Sequence, residues 1–211
     1  MFVKTKQEVL SEFRCSQISQ AARKVFAKKG FDETTVEDIA HAAGIAKGTL
    51  YLYFRSKKKI YLAALREGIL ALHEKVQQEV EAAPSVEDKL RAYIFTKLRY
   101  FEENWDFFRI YHSEWGNVFA RSADVQKNFK RYQEQQARML EGVLQEGAQQ
   151  GLLRPIHIPT TASVIYDVTR ALIARRLLEE SQSKAEEDAE FIFDLIWNGI
   201  CHFSPSLSRK T

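Results

Sequence analysis

Apolar residues recur at three- and four-residue intervals along nearly the whole chain, and no stretch sustains the two-residue alternation of a strand. Ile18, Ala21, Ala22, Val25 and Phe26 share one face and predict a helix from about Ser11 to Lys29, with Lys4, Lys6 and Arg14 before it or at its opening as a basic arm. Gly30 is placed to stop that helix, because glycine alone takes a left-handed backbone without steric cost. Thr34 and Thr35 can each cap the next helix, with Glu37 and Asp38 three residues on as capping-box partners. Val36, Ile39 and Ala40 form the apolar side of that short helix. Gly44 supplies a tight turn, and Ile45, Leu50 and Phe54 line the inner face of a second short helix. Two short helices around a glycine turn read as a helix-turn-helix.

The remaining pattern is also helical. Ser56 can cap a helix from Lys57 to about Ala83, with a stripe of Tyr61, Leu65, Ile69, Leu72 and Val76; it forms a rod of roughly 40 Å that Pro84 ends. Ser85 with Asp88 opens a helix carrying Leu90, Tyr93, Ile94, Lys97, Leu98 and Phe101 on one side, and an aromatic-rich bend follows. A long helix is expected from Ala123 to Gln150, with Phe129, Tyr132, Met139, Leu140 and Val143 inward and Gly151 as its stop. Pro159 fits the first turn of the next, which carries Val164, Ile165, Val168, Leu172 and Leu177. The last is expected to open at Ser183 with Glu186 three residues on, to hold an acidic first turn that suits the helix dipole, and to end near Phe203. The pattern predicts an all-α fold of about nine helices: an N-terminal three-helix helix-turn-helix domain over residues 1–56, a larger helical body over 57–205, and a frayed tail over 206–211.

Charge sharpens this division. The chain has 211 residues and a net charge of +3, but residues 1–60 carry +6 and the rest −3. A basic reader on a mildly acidic body suits a polyanionic partner at one end. Cys15 and Cys201 have no metal or redox spacing and read as reduced thiols of a cytoplasmic protein. No apolar run reaches the ~18 residues of a membrane span, and the first ten residues lack a signal-peptide core, so no membrane association is expected. The histidines at 41, 73, 112, 157 and 202 show no metal-ligand spacing. No nucleophile elbow, zincin, P-loop or dinucleotide fingerprint is present, and the glycines at 142, 147 and 151 precede no Lys-Ser or Lys-Thr. Neither an enzyme, a cofactor nor a metal is expected.

The run Ile18-x-x-Ala21-Ala22-x-x-Val25-Phe26-x-x-x-Gly30-Phe31, then Thr34-Thr35-Val36-x-x-Ile39-Ala40-x-x-Ala43-Gly44, then Gly48-Thr49-Leu50-Tyr51-x-Tyr53-Phe54-x-x-Lys57, resembles the N-terminal signature of the TetR family of bacterial transcriptional regulators. The resemblance covers the first quarter of the chain. It implies that Lys47, Gly48 and Thr49 face bases, that Tyr51, Tyr53 and Lys57 face phosphates, and that Thr34 or Thr35 touches a phosphate too. The chemistry agrees: a lysine reaches guanine or phosphate, a glycine lets backbone approach the groove floor, and threonine offers a hydroxyl and a methyl. Two positions depart from the family pattern. Ala46 stands where serine or threonine is frequent, and Lys58 stands where an acidic residue is common, which adds sequence-independent affinity for duplex.

The resemblance also implies that the body binds an effector and forms a homodimer through its last two helices. Aromatics cluster between Tyr100 and Trp115, where they either line a pocket or fill the core. Phe101, Trp105, Phe108, Tyr111, His112 and Trp115, with Asp167 and Arg170 on a later helix, are the pocket candidates. Ala171, Ala174, Ile192, Leu195, Ile196 and Gly199 are the dimer candidates. The expected function is a repressor on double-stranded DNA, bound at a palindromic operator as a homodimer and released by an apolar or amphiphilic small molecule. An activator, a ligand-independent regulator and a helical adaptor are the alternatives.

Overall fold

A computed structural model of the chain describes residues 5–105, 123–179 and 184–201. Among these residues the structure is all-helical, with eight helices and one isolated antiparallel β-bridge between Leu153 and Cys201. The chain divides into two compact units. The first takes in the described residues up to Ala71 with Asn104, Trp105 and 123–125; the second takes in residues 72–103 and the described residues from Gln126 onward.

The first unit begins with α1 (Lys6–Glu33). It starts five residues earlier than the apolar pattern predicts, because Thr5 and Glu8 form a capping box: the Glu8 N–H donates to Thr5 Oγ1 (3.3 Å) and the Thr5 N–H to Glu8 Oε2 (2.7 Å). Lys6 therefore belongs to the helix rather than to a loose basic arm. The helical path breaks at Gly30, whose φ of 78° and ψ of 177° are open to glycine almost alone. Thr35 then caps α2 (Val36–Ala42), with Asp38 as its reciprocal partner. Thr34 does not share this role. It is 1% exposed and its hydroxyl donates to the Gly30 carbonyl at 2.6 Å, which closes the corner left by the break.

Gly44, at φ 65°, turns the chain, and the Ile45 N–H donates back to Ala40 O at 3.0 Å. Ala46 precedes α3 (Lys47–Tyr53) and caps it with no side-chain hydrogen bond, as its methyl dictates. Ser56 Oγ accepts from the Lys59 N–H at the start of α4 (Lys57–Ala82). α1, α2, α3 and the start of α4 close on a core of Ile18, Ala22, Phe26, Ile39, Ala40, Leu50, Phe54, Ile60 and Tyr61. Each large side chain fully buried there contributes on the order of 1.5–3 kcal/mol. Phe26 and Tyr61 meet edge to face, with centroids 5.2 Å apart.

In the second unit, Ser85 accepts from the Asp88 N–H (3.0 Å) and opens α5 (Val86–Glu103). All six residues of its predicted stripe are buried, Lys97 included. α6 (Ala123–Gln149) ends in a turn at Gly151 (φ 70°), where the Leu152 N–H returns to Gly147 O at 3.0 Å. α7 (Ile158–Glu179) holds Pro159 in its first turn, and α8 (Ala185–Ile200) follows. α5 packs against α7 and α8, which also pack on each other.

Three expectations change here. Val164 is 52% exposed rather than inward. α8 opens after Lys184, which makes no side-chain cap, not at Ser183, which lies outside the described residues. α8 also stops at Ile200, before Phe203, because Cys201 turns extended to bridge Leu153 and the Arg154 N–H takes the Ile200 carbonyl at 2.9 Å. The side chains of Phe129 and Leu177, and Phe203 itself, lie outside the described residues.

Candidate functional site

Leu50 and Phe54 point into the first core, so the opposite side of α3 is left to solvent. Lys47, Gly48 and Tyr51 are exposed, while Thr49 and Tyr53 are half-buried. Tyr51 is 45% exposed, which rules out its packing within the unit. A Cβ built on Gly48 would meet nothing within 4 Å, so the fold itself does not demand glycine there. Leu52 is 82% exposed, and the sequence reading passed over it. Its signal was available, since it lies two positions beyond inward Leu50 on a helix that buries one side only.

Lys47 forms an ion pair with Glu37 of α2. Each holds the other's charge: the Lys47 hydrogen bond lowers the Glu37 carboxyl, and the same bond from Glu37 raises Lys47. On the other side of α2, Lys29 lies 2.8 Å from Asp38. That contact, with the backbone N–H and hydroxyl of Thr35, brings Asp38 down to about 2. Arg55, Lys58 and Lys59 are exposed near the end of α3.

Two of the eight candidates for DNA contact sit differently from expectation. Thr34 is buried with its hydroxyl committed, so Thr35 is the member of the pair that faces solvent. The Lys57 ammonium donates to the carbonyls of Phe31 (2.6 Å) and Asp32 (3.1 Å) and lies 4.5 Å from the Phe31 ring centroid. Those carbonyls lie at the C-terminal end of α1, after the break at Gly30, where helix carbonyls need outside donors, so Lys57 has a structural task in the DNA-free chain.

Of the pocket candidates, Phe101 is fully buried on α5 in the second unit, and Trp105, which belongs to the first, is half-buried; Phe108, Tyr111, His112 and Trp115 lie outside the described residues. Asp167 and Arg170 do not face the interior. Both are exposed on α7 and pair with each other at 3.4 Å. The interior polar groups are others: Lys97 (3% exposed), Gln136 (0%) and Thr169 (0%). Gln136 Nε2 lies 2.7 Å from His73 Nδ1, and burial lowers the His73 pKa. A cleft of about 280 Å³ opens beside them between α4 and α6, lined by His73, Gln77, Gln135, Arg138 and Met139 among others.

The dimer candidates divide as well. Ile192 is 4% exposed and belongs to the core of the single chain. Ala171 is exposed, Leu195 is 62% exposed, and Ala174, Ile196 and Gly199 are half-buried. Phe191 (69%) and Val164 add to the outward apolar surface of α7 and α8. Among the described residues no three His, Cys, Asp or Glu side chains gather as metal ligands, and no helix is long and apolar enough to cross a membrane.

Known proteins agree with this architecture. The family model of bacterial regulatory proteins, tetR family, matches residues 18–64. The HTH-type transcriptional repressor KstR2 of Mycolicibacterium smegmatis is 33% identical over 144 residues, covering 67% of this chain and 68% of that protein. The fatty acid metabolism regulator protein of Bacillus subtilis is 20% identical over 185 residues, 87% of this chain and 94% of that one. The crystal structure of FadR from Bacillus subtilis in complex with stearoyl-CoA shares the fold, with a TM-score of 0.73 at 21% identity over 88% of this chain and 98% of its own. With the family model matched over residues 18–64 and 33% identity to a repressor across 68% of that protein's length, the chain belongs to the tetR family of bacterial regulatory proteins.

Proposed function

We propose that this protein is a sequence-specific DNA-binding transcriptional regulator: a homodimeric repressor that holds a palindromic operator and releases it when a small amphiphilic effector binds. The observation that carries the reading is the outward face of α3, where Lys47, Gly48, Thr49 and Tyr51 are displayed by a helix whose other side is locked into a core. Residues 1–56 act as the reader and 57–205 as the effector-binding and dimerising body. Lys47 and Thr49 contact base edges, and Gly48 admits the backbone to the groove. Tyr51, Tyr53 and Thr35 contact phosphates. The exposed apolar side chains of α7 and α8, Val164, Phe191 and Leu195, support dimerisation. The repressor reading draws on KstR2, and the effector class on the acyl-CoA held by the FadR neighbour.

The test is selection of duplexes from a random pool by the purified protein at moderate ionic strength, with oligomeric state measured by sedimentation. An enriched palindrome bound by a dimer is expected. A monomer with no sequence preference overturns the reading.

A further inference from the structure

Lys97 sits in the middle of the buried stripe of α5, between Ile94 and Leu98, with 3% of its surface exposed. Its ammonium donates one hydrogen bond, to Tyr93 Oη at 3.0 Å, and lies 4.7 and 4.6 Å from the ring centroids of Tyr93 and Tyr166. No carboxylate of the described residues stands within ion-pair distance of it. Of the charged groups near it on α7, Asp167 and Arg170 oppose each other, and both are exposed. Tyr93 of α5 and Tyr166 of α7 thus flank the amine from two helices, and Tyr132 of α6 lies near Tyr93.

A lysine so placed gives the fold little. An ammonium taken from water needs an anion or a full set of acceptors, and ring faces with one hydroxyl supply only part of that. A methionine of similar length would fill the same space without the penalty. Burial pushes the amine down to about 7, with Arg170 adding to the effect and Asp167 opposing it. Among the described residues no negative charge therefore meets the amine, and what the site offers is N–H and O–H donors on a buried stripe that also carries Ile94, Leu98 and Phe101.

We propose that Lys97, framed by Tyr93 and Tyr166, is the anchor for the anionic group of the effector, a carboxylate or phosphate carried on an apolar chain. The proposal rests on the effector-responsive reading given above and names the class of ligand that reading leaves open. The anion completes the hydrogen bonds of the ammonium and stabilises its charged form, so binding above neutral pH draws a proton from solution.

Calorimetric titration of the full chain at pH 8 with dodecanoate, dodecanoyl-CoA and dodecanol tests this. The unmodified protein is expected to bind one or both anionic probes at least tenfold more tightly than the alcohol, and the preferred one tells a fatty acid from its thioester. Repeating the titration in two buffers of different ionisation enthalpy is expected to show proton uptake with the anionic probe alone. In Lys97→Met both the preference and the uptake disappear, and Lys97→Arg restores the preference. The proposal is overturned if the unmodified protein favours neither anionic probe, if it takes up no proton, or if Lys97→Met keeps the preference. Duplex binding in the same samples separates the two readings: protein that holds a palindrome but ignores charge on the probe defeats the anchor alone.

Discussion

Glu37 of α2 and Lys47, the first residue of α3, form an ion pair across the helix-turn-helix, on the side of α3 that faces away from the core. The residue best placed to meet a base edge is thus held by a carboxylate in the DNA-free protein. Both side chains are solvent-exposed, so the pair contributes little to stability, and its effect falls on binding. Glu37→Gln is expected to tighten duplex binding several-fold at low salt, because Lys47 no longer has to leave a partner. Fluorescence anisotropy across a salt series checks this, and unchanged or weaker affinity counts against it.

Lys47 and Lys57 should separate cleanly. Lys47→Gln is expected to weaken operator binding by about tenfold, in line with the roughly 1–3 kcal/mol of a base contact. Lys57→Gln instead removes the donor to Phe31 and Asp32. It is expected to lower the melting temperature while leaving the slope of log affinity against log salt as it was. A slope reduced by about one for Lys57→Gln would return that residue to the phosphate backbone.

Gly48 offers an opposite pairing of effects. Its helical position has open space where a Cβ would go. Gly48→Ala should raise stability by up to about 1 kcal/mol through helix propensity. The same methyl would stand between backbone and groove floor, so operator affinity should fall. Thermal melts and anisotropy on one preparation read both, and a variant that is stabilised with full affinity removes Gly48 from the interface.

Leu195 is 62% exposed and Phe191 69% on α8. Leu195→Glu therefore costs the single chain little and is expected to yield a folded monomer by sedimentation. Losing the second reader removes the avidity of two half-sites, a loss of about a hundredfold or more in operator affinity. A variant that remains dimeric places the interface elsewhere.

Lys97 makes stability depend on pH. Its folded pKa of about 7 lies below the unfolded value of 10.5, so above neutrality the unfolded chain binds a proton that the folded chain has lost. Stability therefore rises with pH from about 7 toward 10. Burial raises Tyr93, Tyr132 and Tyr166, which reverses the trend once the unfolded tyrosines ionise near 10. Urea midpoints measured from pH 7 to 9 should climb in the unmodified protein and stay nearly flat in Lys97→Met.

The sequence announces most of the helices because caps and turns are local chemistry. Ser85 with Asp88, Gly151 and Pro159 sit where their residue types predict. The start of α1 was hidden because Val9, Leu10 and Phe13 are exposed, so apolar spacing says nothing until Ile18, while the Thr5–Glu8 box is purely polar. The structural task of Lys57 is not legible in the sequence because its partners are carbonyls more than twenty residues away, which only the folded corner brings near. Ile192 and Leu195 look alike in the sequence, yet one is buried and the other exposed. Periodicity tells that a helix has an apolar side without telling which part meets its own chain. Lys97 is legible as an oddity, a cation in an apolar stripe, but that no carboxylate of the described residues meets it is a three-dimensional fact.

The bridge between Leu153 and Cys201, with the Arg154–Ile200 hydrogen bond, joins the residue after the α6 turn to the residue after α8. Everything from α7 to α8 thus departs from and returns to one point, like a buckled strap. A chain cut between Glu179 and Lys184 keeps both helices fastened at that buckle. Such a nicked chain should stay folded.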